Sequence, residues 1–164
     1  MARATILIVE DSLDIAEPLA DAFRFEGFEV LLASDAVQAL QLASEHRPDL
    51  ILMDIQLPDM DGLSVARTLK SDPAVKDIPI VAMTAYEVGA DQVRSLTRTC
   101  VGYAQKPVRP REIINLATAV LKLPPDPEPA GRRRPPAKSP GRELREGQSG
   151  AWAIRRSGNA RSLA

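Results

Sequence analysis

The sequence predicts an α/β domain in which a parallel sheet is covered by helices on both faces. Short runs rich in Val, Ile and Leu alternate along the chain with segments whose apolar residues recur at spacings of three and four. The runs are almost continuously apolar, as strands buried on both faces should be. Segments of helical length separate the runs, which is what parallel strands joined by crossover helices require.

Five apolar runs are the predicted strands, at Thr5–Val9, Phe28–Leu32, Leu50–Met53, Ile78–Met83 and Val101–Ala104. A stripe with helical spacing follows each run, and the five stripes begin at Ala16, Val37, Val65, Val93 and Ile113. This (βα)5 pattern favours a flavodoxin-like fold with strand order 2-1-3-4-5. In such a sheet the ligand crevice lies between strands 1 and 3, at their C-terminal edge.

Local signals mark several helix ends. Gly27 follows the first stripe, where a left-handed residue would end a helix. Asp35 with Gln38 resembles a capping box at the start of the second helix. Pro110 suits the first position of the fifth helix, although Arg109 before it is a poor cap. These signals place the helices between the predicted strands.

The composition changes at Pro124, so we predict a domain over residues 1–123 and a tail over 124–164. The tail holds seven of the 14 prolines and five of the nine glycines. Its few large apolar residues are Leu144, Trp152, Ile154 and Leu163. Because so little apolar surface can be buried there, we expect the tail to be disordered.

Charge and composition exclude several classes of protein. The domain has 12 basic and 18 acidic residues, so nucleic acid would be repelled, whereas the tail has nine basic and four acidic residues. Cys100 is the only cysteine, which rules out an internal disulfide and a thiolate metal site. No apolar run approaches the roughly 20 residues that span a bilayer. With no signal-peptide pattern at the N-terminus, we expect a cytoplasmic protein without membrane attachment.

Polar residues follow the predicted strands at one edge of the sheet. Glu10 and Asp11 follow the first strand, Asp54 follows the third, Thr84 the fourth and Lys106 the fifth. Because the C-terminal ends of parallel strands meet at one edge, we expect these five side chains to converge at the predicted crevice.

Three neighbouring carboxylates need a compensating cation, because each negative charge raises the pKa of the others. Oxygen ligands without histidine or cysteine favour Mg²⁺, which shares its coordination shell readily with a phosphate. A carboxylate in such a place is also a nucleophile for phosphoryl transfer, and that reaction mainly requires neutralisation of the phosphoryl oxygens. Lys106 can supply a positive charge and Thr84 a hydroxyl donor.

Four segments in order carry a family resemblance: Ile-Leu-Ile-Val-Glu-Asp (6–11), Asp-Leu-Ile-Leu-Met-Asp-Ile-Gln-Leu-Pro-Asp-Met-Asp-Gly-Leu (49–63), Ile-Pro-Ile-Val-Ala-Met-Thr-Ala-Tyr (78–86) and Gly-Tyr-Ala-Gln-Lys-Pro-Val (102–108). With them, residues 4–123 resemble the receiver domain of two-component response regulators, particularly stand-alone regulators of the DivK and chemotaxis types. The resemblance departs from the family at Thr99, which stands where a turn glycine is common, and at Arg109.

The resemblance implies that Asp54 is the phosphoacceptor. It further implies that Mg²⁺ is bound by Glu10, Asp11, Asp54 and the backbone carbonyl of Gln56. Thr84 would bond a phosphoryl oxygen and Lys106 would pair with the phosphoryl group. The Lys106–Pro107 bond corresponds to one that is often cis in the family.

The resemblance also implies a switch and its partners. Tyr103 matches an aromatic residue that turns inward when Thr84 moves toward the phosphate. His46 is the only histidine, so the phosphoryl donor would be a sensor histidine kinase or a histidine phosphotransfer protein. A downstream protein would read the fourth helix, fifth strand and fifth helix. Such a protein catalyses only its own phosphorylation and slow dephosphorylation, so we do not expect a conventional enzyme.

Three other functions fit these residues less well. A phosphatase of the haloacid-dehalogenase type would carry an acidic residue two positions after the nucleophile, where this chain has Gln56. Flavin binding would need a phosphate-binding loop after the first strand, where Glu10, Asp11 and Asp14 would repel phosphate. Nucleic-acid binding through the tail alone would be salt-sensitive and lost on truncation at Leu123.

Overall fold

The structure is a computed structural model that describes residues 3–85 and 89–123 and the backbone of Trp152–Ile154. Its strands are β1 (Thr5–Val9), β2 (Glu29–Ala33), β3 (Leu50–Asp54), β4 (Ile80–Thr84), β5 (Gly102–Gln105) and β6 (Trp152–Ile154). Its helices are α1 (Leu13–Phe25), α2 (Ala36–His46), α3 (Gly62–Ser71), α4 (Ala90–Thr99) and α5 (Pro110–Val120). Each predicted strand and helix is present, with strand boundaries moved by two residues or fewer.

The strands form one sheet in the order β2-β1-β3-β4-β5-β6. The first five strands are parallel, which confirms the predicted order 2-1-3-4-5. β1, β3 and β4 are central and almost wholly buried, whereas β2 lies at an edge and is only partly buried. The prediction of strands buried on both faces therefore holds for the central strands and not for β2 or β5.

Two apolar clusters cover the two faces of the sheet. On one face, strand residues such as Leu7 and Met53 pack with buried residues of α2, α3 and α4. On the other face, residues such as Ile8 and Leu52 pack with α1 and α5. Successive strand residues point to opposite faces, so the continuous apolar runs supply both clusters. Because the sheet is buried on both faces, the C-terminal ends of its parallel strands are held along one edge of the sheet.

The predicted helix-end signals are present. Gly27 follows α1 with a φ of 89°, a left-handed conformation that favours glycine. The Asp35 carboxylate accepts a hydrogen bond from the Gln38 amide at 2.8 Å, and Gln38 in turn accepts one from the Ser34 amide. Pro110 opens α5, and Arg109 makes no side-chain capping bond there.

A sixth strand lies within the predicted tail. Trp152–Ile154 pairs antiparallel with β5, and the sequence analysis predicts no strand there. Composition measures how much apolar surface a segment can bury, but an exposed sheet edge pairs with backbone groups of any sequence. The remaining tail residues, and with them the tail boundary at 124, lie outside the described residues. Within the described part of the chain, the helices lack the length and apolar character needed to cross a bilayer.

Candidate functional site

The polar residues predicted to converge lie at the C-terminal edge of the sheet. Glu10 directly follows β1, Asp54 ends β3, Thr84 ends β4 and Lys106 follows β5. Each is held by a strand with a fixed register, in which Asp54 lies opposite Met83, the residue before Thr84. Glu10 and Asp54 are each only 2% exposed and Thr84 is 6% exposed. These are the buried polar and charged residues of the described core.

Lys106 joins the two buried carboxylates. Its Nζ atom lies 2.6 Å from Glu10 Oε2 and 3.0 Å from Asp54 Oδ2. The backbone helps to place the lysine, because the Lys106 amide donates to the Thr84 carbonyl at 2.7 Å. The Lys106–Pro107 peptide bond is cis, as the resemblance implied. One ammonium group therefore pairs with two carboxylates, one at the end of β1 and one at the end of β3.

Backbone amides hold the outer oxygens of the same carboxylates. Glu10 Oε1 accepts a hydrogen bond from the Ser12 amide at 3.2 Å, and Asp54 Oδ1 accepts one from the Gln56 amide at 3.0 Å. Each carboxylate thus has one oxygen bound to its following loop and one directed to Lys106. The geometry fixes both groups before any ligand arrives.

Burial dominates the electrostatics of this site. It raises the pKa of the Glu10 carboxyl above 4.5, and the neighbouring Asp54 charge adds to the rise, against the opposing effect of Lys106. Burial by itself would lower the pKa of Lys106. Pairing with the Glu10 and Asp54 carboxylates outweighs that effect, so the pKa of Lys106 lies above 10.5. Burial therefore favours the neutral form of Glu10, whereas the neighbouring carboxylates favour the charged form of Lys106.

The donor set fits a divalent metal ion. Carboxylate oxygens of Glu10, Asp11 and Asp54 lie within 4.8 Å of one another. Glu10 Oε2 is buried and, although Lys106 is close, it accepts no hydrogen bond of acceptable geometry. Asp11 is exposed, so an ion at this edge could keep part of its water shell. Oxygen-only ligands with access to water are what Mg²⁺ prefers.

The loop between β3 and α3 supports Asp54 through Gly62. A Cβ atom at Gly62 would lie 2.0 Å from the Asp54 carbonyl oxygen and 2.8 Å from Ile55 Cα. The Gly62 amide also donates to the Ile55 carbonyl at 2.8 Å. No local sequence pattern predicts this close contact, because Gly62 meets backbone that lies eight residues earlier in the chain.

Two aspartates of the same loop bind helix N-termini. Both oxygens of Asp59 accept from the Ala36 amide, at 3.0 and 3.1 Å, and so tie the loop to the start of α2. Asp61 caps α3 by accepting from the Leu63 amide at 3.2 Å. From the sequence alone, two aspartates just before a glycine indicate turn geometry. The capping pattern around Asp61 could have been recognised, whereas the contact of Asp59 with α2 depends on the fold.

The predicted switch residues occupy neighbouring strands. Thr84 lies opposite Gln105, two residues after Tyr103. The Tyr103 side chain is half-buried and packs against the apolar cluster that includes α4. Tyr86 lies outside the described residues. The residues predicted to carry out the chemistry thus lie at one edge of the sheet, whereas Tyr103 lies nearer the start of β5.

The fold is a doubly wound α/β domain with an acidic site, bridged by a lysine, at the C-terminal edge of its sheet. The model of the response regulator receiver domain matches residues 6–118, which is more than half of the chain. The chain therefore belongs to the response regulator receiver family. Proteins of this family bind Mg²⁺ at an acidic site and work with histidine kinases or phosphotransfer proteins and with downstream effectors.

Individual relatives agree with the family. The polar-differentiation response regulator DivK of Brucella anthropi is 40% identical over 104 residues, which cover 63% of this chain and 85% of DivK. The receiver domain of a Pseudomonas aeruginosa sensor histidine kinase, solved with magnesium in its active site cleft, has 30% identity and a TM-score of 0.67; the match covers 74% of this chain and 99% of that one. The chemotaxis response regulator CheY4 of Vibrio cholerae has 26% identity and a TM-score of 0.67, with coverages of 71% and 98%.

Proposed function

We propose that this chain accepts a phosphoryl group on Asp54 from a phosphohistidine of another protein and signals through a change of shape that a protein partner reads. The observation that carries the proposal is the buried pair of carboxylates, Glu10 and Asp54, joined by the ammonium group of Lys106. Nucleophile, counter-charge and metal-binding oxygens are thus gathered from three strands. We propose a cytoplasmic location, where the lone Cys100 would remain reduced.

In the proposed reaction an oxygen of Asp54 attacks phosphorus while the phosphorus–nitrogen bond of the phosphohistidine breaks. The imidazole leaves, takes up a proton and remains on the donor protein, and an aspartyl phosphate is formed. Glu10, Asp11, Asp54 and the Gln56 carbonyl would hold Mg²⁺, which when bound would neutralise phosphoryl oxygens. Lys106 would exchange its pairing with Asp54 for a phosphoryl oxygen, and Thr84 would donate a hydrogen bond to another.

The donor histidine belongs to another protein in this proposal. His46 is the only histidine of the sequence and the last residue of α2. A crossover helix runs antiparallel to the strands, so its C-terminus lies at the edge of the sheet opposite Asp54. Hydrolysis of the aspartyl phosphate would be slow, because Gln56 offers no acidic proton where a phosphatase of the haloacid-dehalogenase type would have one.

A phosphodonor assay tests the acceptor. We expect acetyl phosphate with Mg²⁺ to add one base-labile phosphoryl group to the full chain, as measured by mass spectrometry. Asp54→Asn should abolish the addition, because the amide is a poor nucleophile. Asp14→Asn is the matched control, since Asp14 is an exposed carboxylate in the first turn of α1. Labelling that persists in Asp54→Asn would show that another residue is the acceptor.

The proposed conformational switch is tested separately from phosphoryl transfer. With acetyl phosphate and Mg²⁺ present, we expect backbone amide chemical shifts of α4 and β5 to change in the wild-type chain. Thr84→Ala should keep labelling but lose most of the shift changes in α4 and β5, because the hydroxyl that couples the phosphoryl group to β4 is gone. Loss of labelling in Thr84→Ala, or unchanged shifts, would contradict the switch role. A reader of the surface formed by α4, β5 and α5 would then be selected by its preference for the labelled chain.

A further inference from the structure

The β5 edge of the sheet is covered by the tail of the same chain. Trp152–Ile154 runs antiparallel to β5, with Gly102 opposite Ile154, Tyr103 opposite Ala153 and Ala104 opposite Trp152. Residues 124–151 connect this strand to the end of the domain. Fully extended, such a connection would reach roughly 90 Å, so its length leaves the strand free to reach the β5 edge.

The backbone pattern of β5 indicates which groups the tail strand meets. The Val101 amide donates to the Ile80 carbonyl of the neighbouring chain segment. Because amide and carbonyl groups of successive strand residues point to alternate sides, Gly102 and Ala104 direct theirs to the outer edge. These are the residues that lie opposite Ile154 and Trp152. Gly102–Ile154 and Ala104–Trp152 are therefore the hydrogen-bonded pairs, and Tyr103–Ala153 is the pair without them.

The two edges of the parallel sheet are protected differently. β2 begins with the exposed, charged Glu29, and a charge on an edge strand discourages further pairing. β5 reads Gly-Tyr-Ala-Gln and contains neither a charge nor a proline. An uncharged edge of this kind pairs readily with any available strand. The tail strand covers the edge that the sequence of β5 leaves open.

We propose that the segment Trp152–Ile154 is an intramolecular strand that occupies the β5 edge and keeps other strands away from it. Because β5 carries Tyr103 and belongs to the proposed output surface, the tail would restrain output, and this consequence rests on the proposed function. The occupancy of the edge does not depend on it. Any partner that adds a strand to β5 would first have to displace residues 152–154.

Proline substitutions in the full chain test the pairing at single positions. Proline lacks the amide proton and is tolerated on an edge strand only where that proton would face solvent. In the proposed ladder the Ile154 amide points to Gly102, whereas the Ala153 amide points away. Hydrogen exchange followed by NMR should therefore show Gly102 and Ala104 exchanging roughly tenfold faster in Ile154→Pro, which corresponds to the loss of about one hydrogen bond. Ala153→Pro is the matched control and should change these rates less than Ile154→Pro does.

Equal effects of the two proline substitutions would overturn the proposed ladder, as would unprotected Gly102 and Ala104 amides in the wild-type chain. Protection that rises with protein concentration, together with a dimeric mass, would show that the strand comes from a second copy and would overturn the intramolecular assignment. Asp54→Asn should leave the exchange pattern unchanged. Failure of the phosphoacceptor proposal would therefore be seen independently of this result.

A peptide in trans tests whether the tail excludes other strands. The domain can be studied without the tail, because its clusters use residues between 4 and 123 and receiver domains of similar extent have been solved on their own. A labelled peptide of residues 148–158 should bind the chain truncated after Leu123 and bind the full chain at least tenfold more weakly. The same peptide with Ile154→Pro should not bind either chain. Equal binding to both chains, or binding to neither, would overturn the proposal.

Discussion

The two helices that flank β5 are attached to the domain very differently. α5 buries Ile113, Ile114, Leu116 and Ala117, whereas α4 buries Leu96 as its one fully buried residue. Neither helix has a side-chain capping bond at its N-terminus, so the difference lies in their burial. A cavity of about 420 Å³ lies between α4 and the β3–α3 loop, with Thr84 and Leu96 on its wall. The element nearest the proposed switch residue is thus the least anchored of the five helices.

This contrast distinguishes the parts of the domain that hold the site in place from the helix that is free to move. The loop that follows Asp54 is fixed by Gly62, Asp59 and Asp61, and α5 packs into the core. Segments with few buried apolar contacts open at a lower free energy than the rest of a domain. In the proposed function, a phosphoryl group at Asp54 would move α4 at small cost, whereas moving α5 would disrupt the core.

Substitution at the two helix starts beside the cavity should have unequal consequences. Gly62→Ala would place a Cβ atom 2.0 Å from the Asp54 carbonyl oxygen, so the backbone of β3 must move. We expect a loss of more than about 4 kcal/mol in the free energy of unfolding, at the upper end for single substitutions. Gly89→Ala, where nothing lies within 4 Å of the added atom, should cost less than about 1 kcal/mol. Urea unfolding measures both, and similar losses would show that the α4 start is as constrained as the α3 start.

Core truncation in α5 should destabilise the whole domain, whereas truncation in α4 should act locally. Ile113→Ala removes a side chain that is 1% exposed and should cost about 3 kcal/mol of global stability. Leu96→Ala removes one that is 5% exposed, but we expect faster hydrogen exchange mainly within residues 90–99. Hydrogen exchange with mass spectrometry distinguishes the two patterns. Equally widespread acceleration in both variants would contradict the idea that α4 opens separately.

Magnesium should stabilise the domain more at neutral than at acidic pH. The pKa of Glu10 is raised on folding, so its contribution to stability is present below pH 4.5 and is lost as the pH rises through the raised value. Mg²⁺ would replace the proton, and at about 100 times its Kd it adds about 2.7 kcal/mol. We expect a larger increase in Tm at pH 7.5 than at pH 5, with little slowing of exchange in α4. Glu10→Gln should reduce the gain, and a gain that does not depend on pH would contradict this linkage.

The reactivity of Cys100 should report the opening of the α4 end with almost no effect on stability. Burial raises the pKa of this thiol to about 12, so at pH 8 the folded state holds almost no thiolate. Alkylation therefore requires local unfolding that exposes the Cys100 thiol. An Ala117→Cys, Cys100→Ala double variant places the only thiol in buried α5 and should react more slowly. Comparable rates, measured by mass spectrometry, would mean that the α4 end opens no more often than α5.

Much of the site could be predicted because its residues follow the apolar runs that mark the strands. Glu10, Asp11, Asp54, Thr84 and Lys106 each follow an apolar run, and parallel strands deliver such residues to one edge without any knowledge of packing. The structure brings Glu10, Asp54 and Lys106 into contact, as that reasoning predicted. The roles proposed for Thr84, Tyr103 and the Gln56 carbonyl remain predictions for the experiments above.

The sequence by itself determined the order of strands and helices, the strand order of the parallel sheet and the residues at its C-terminal edge, because periodicity and crossover handedness depend on neighbouring positions in the chain. Only the tertiary structure decided the contact of Asp59 with α2, the close approach of Gly62 to Asp54 and the pairing of Trp152–Ile154 with β5. Those features join backbone groups that are distant in sequence. Hydrogen bonds and close contacts between such groups leave no periodic pattern in the side chains.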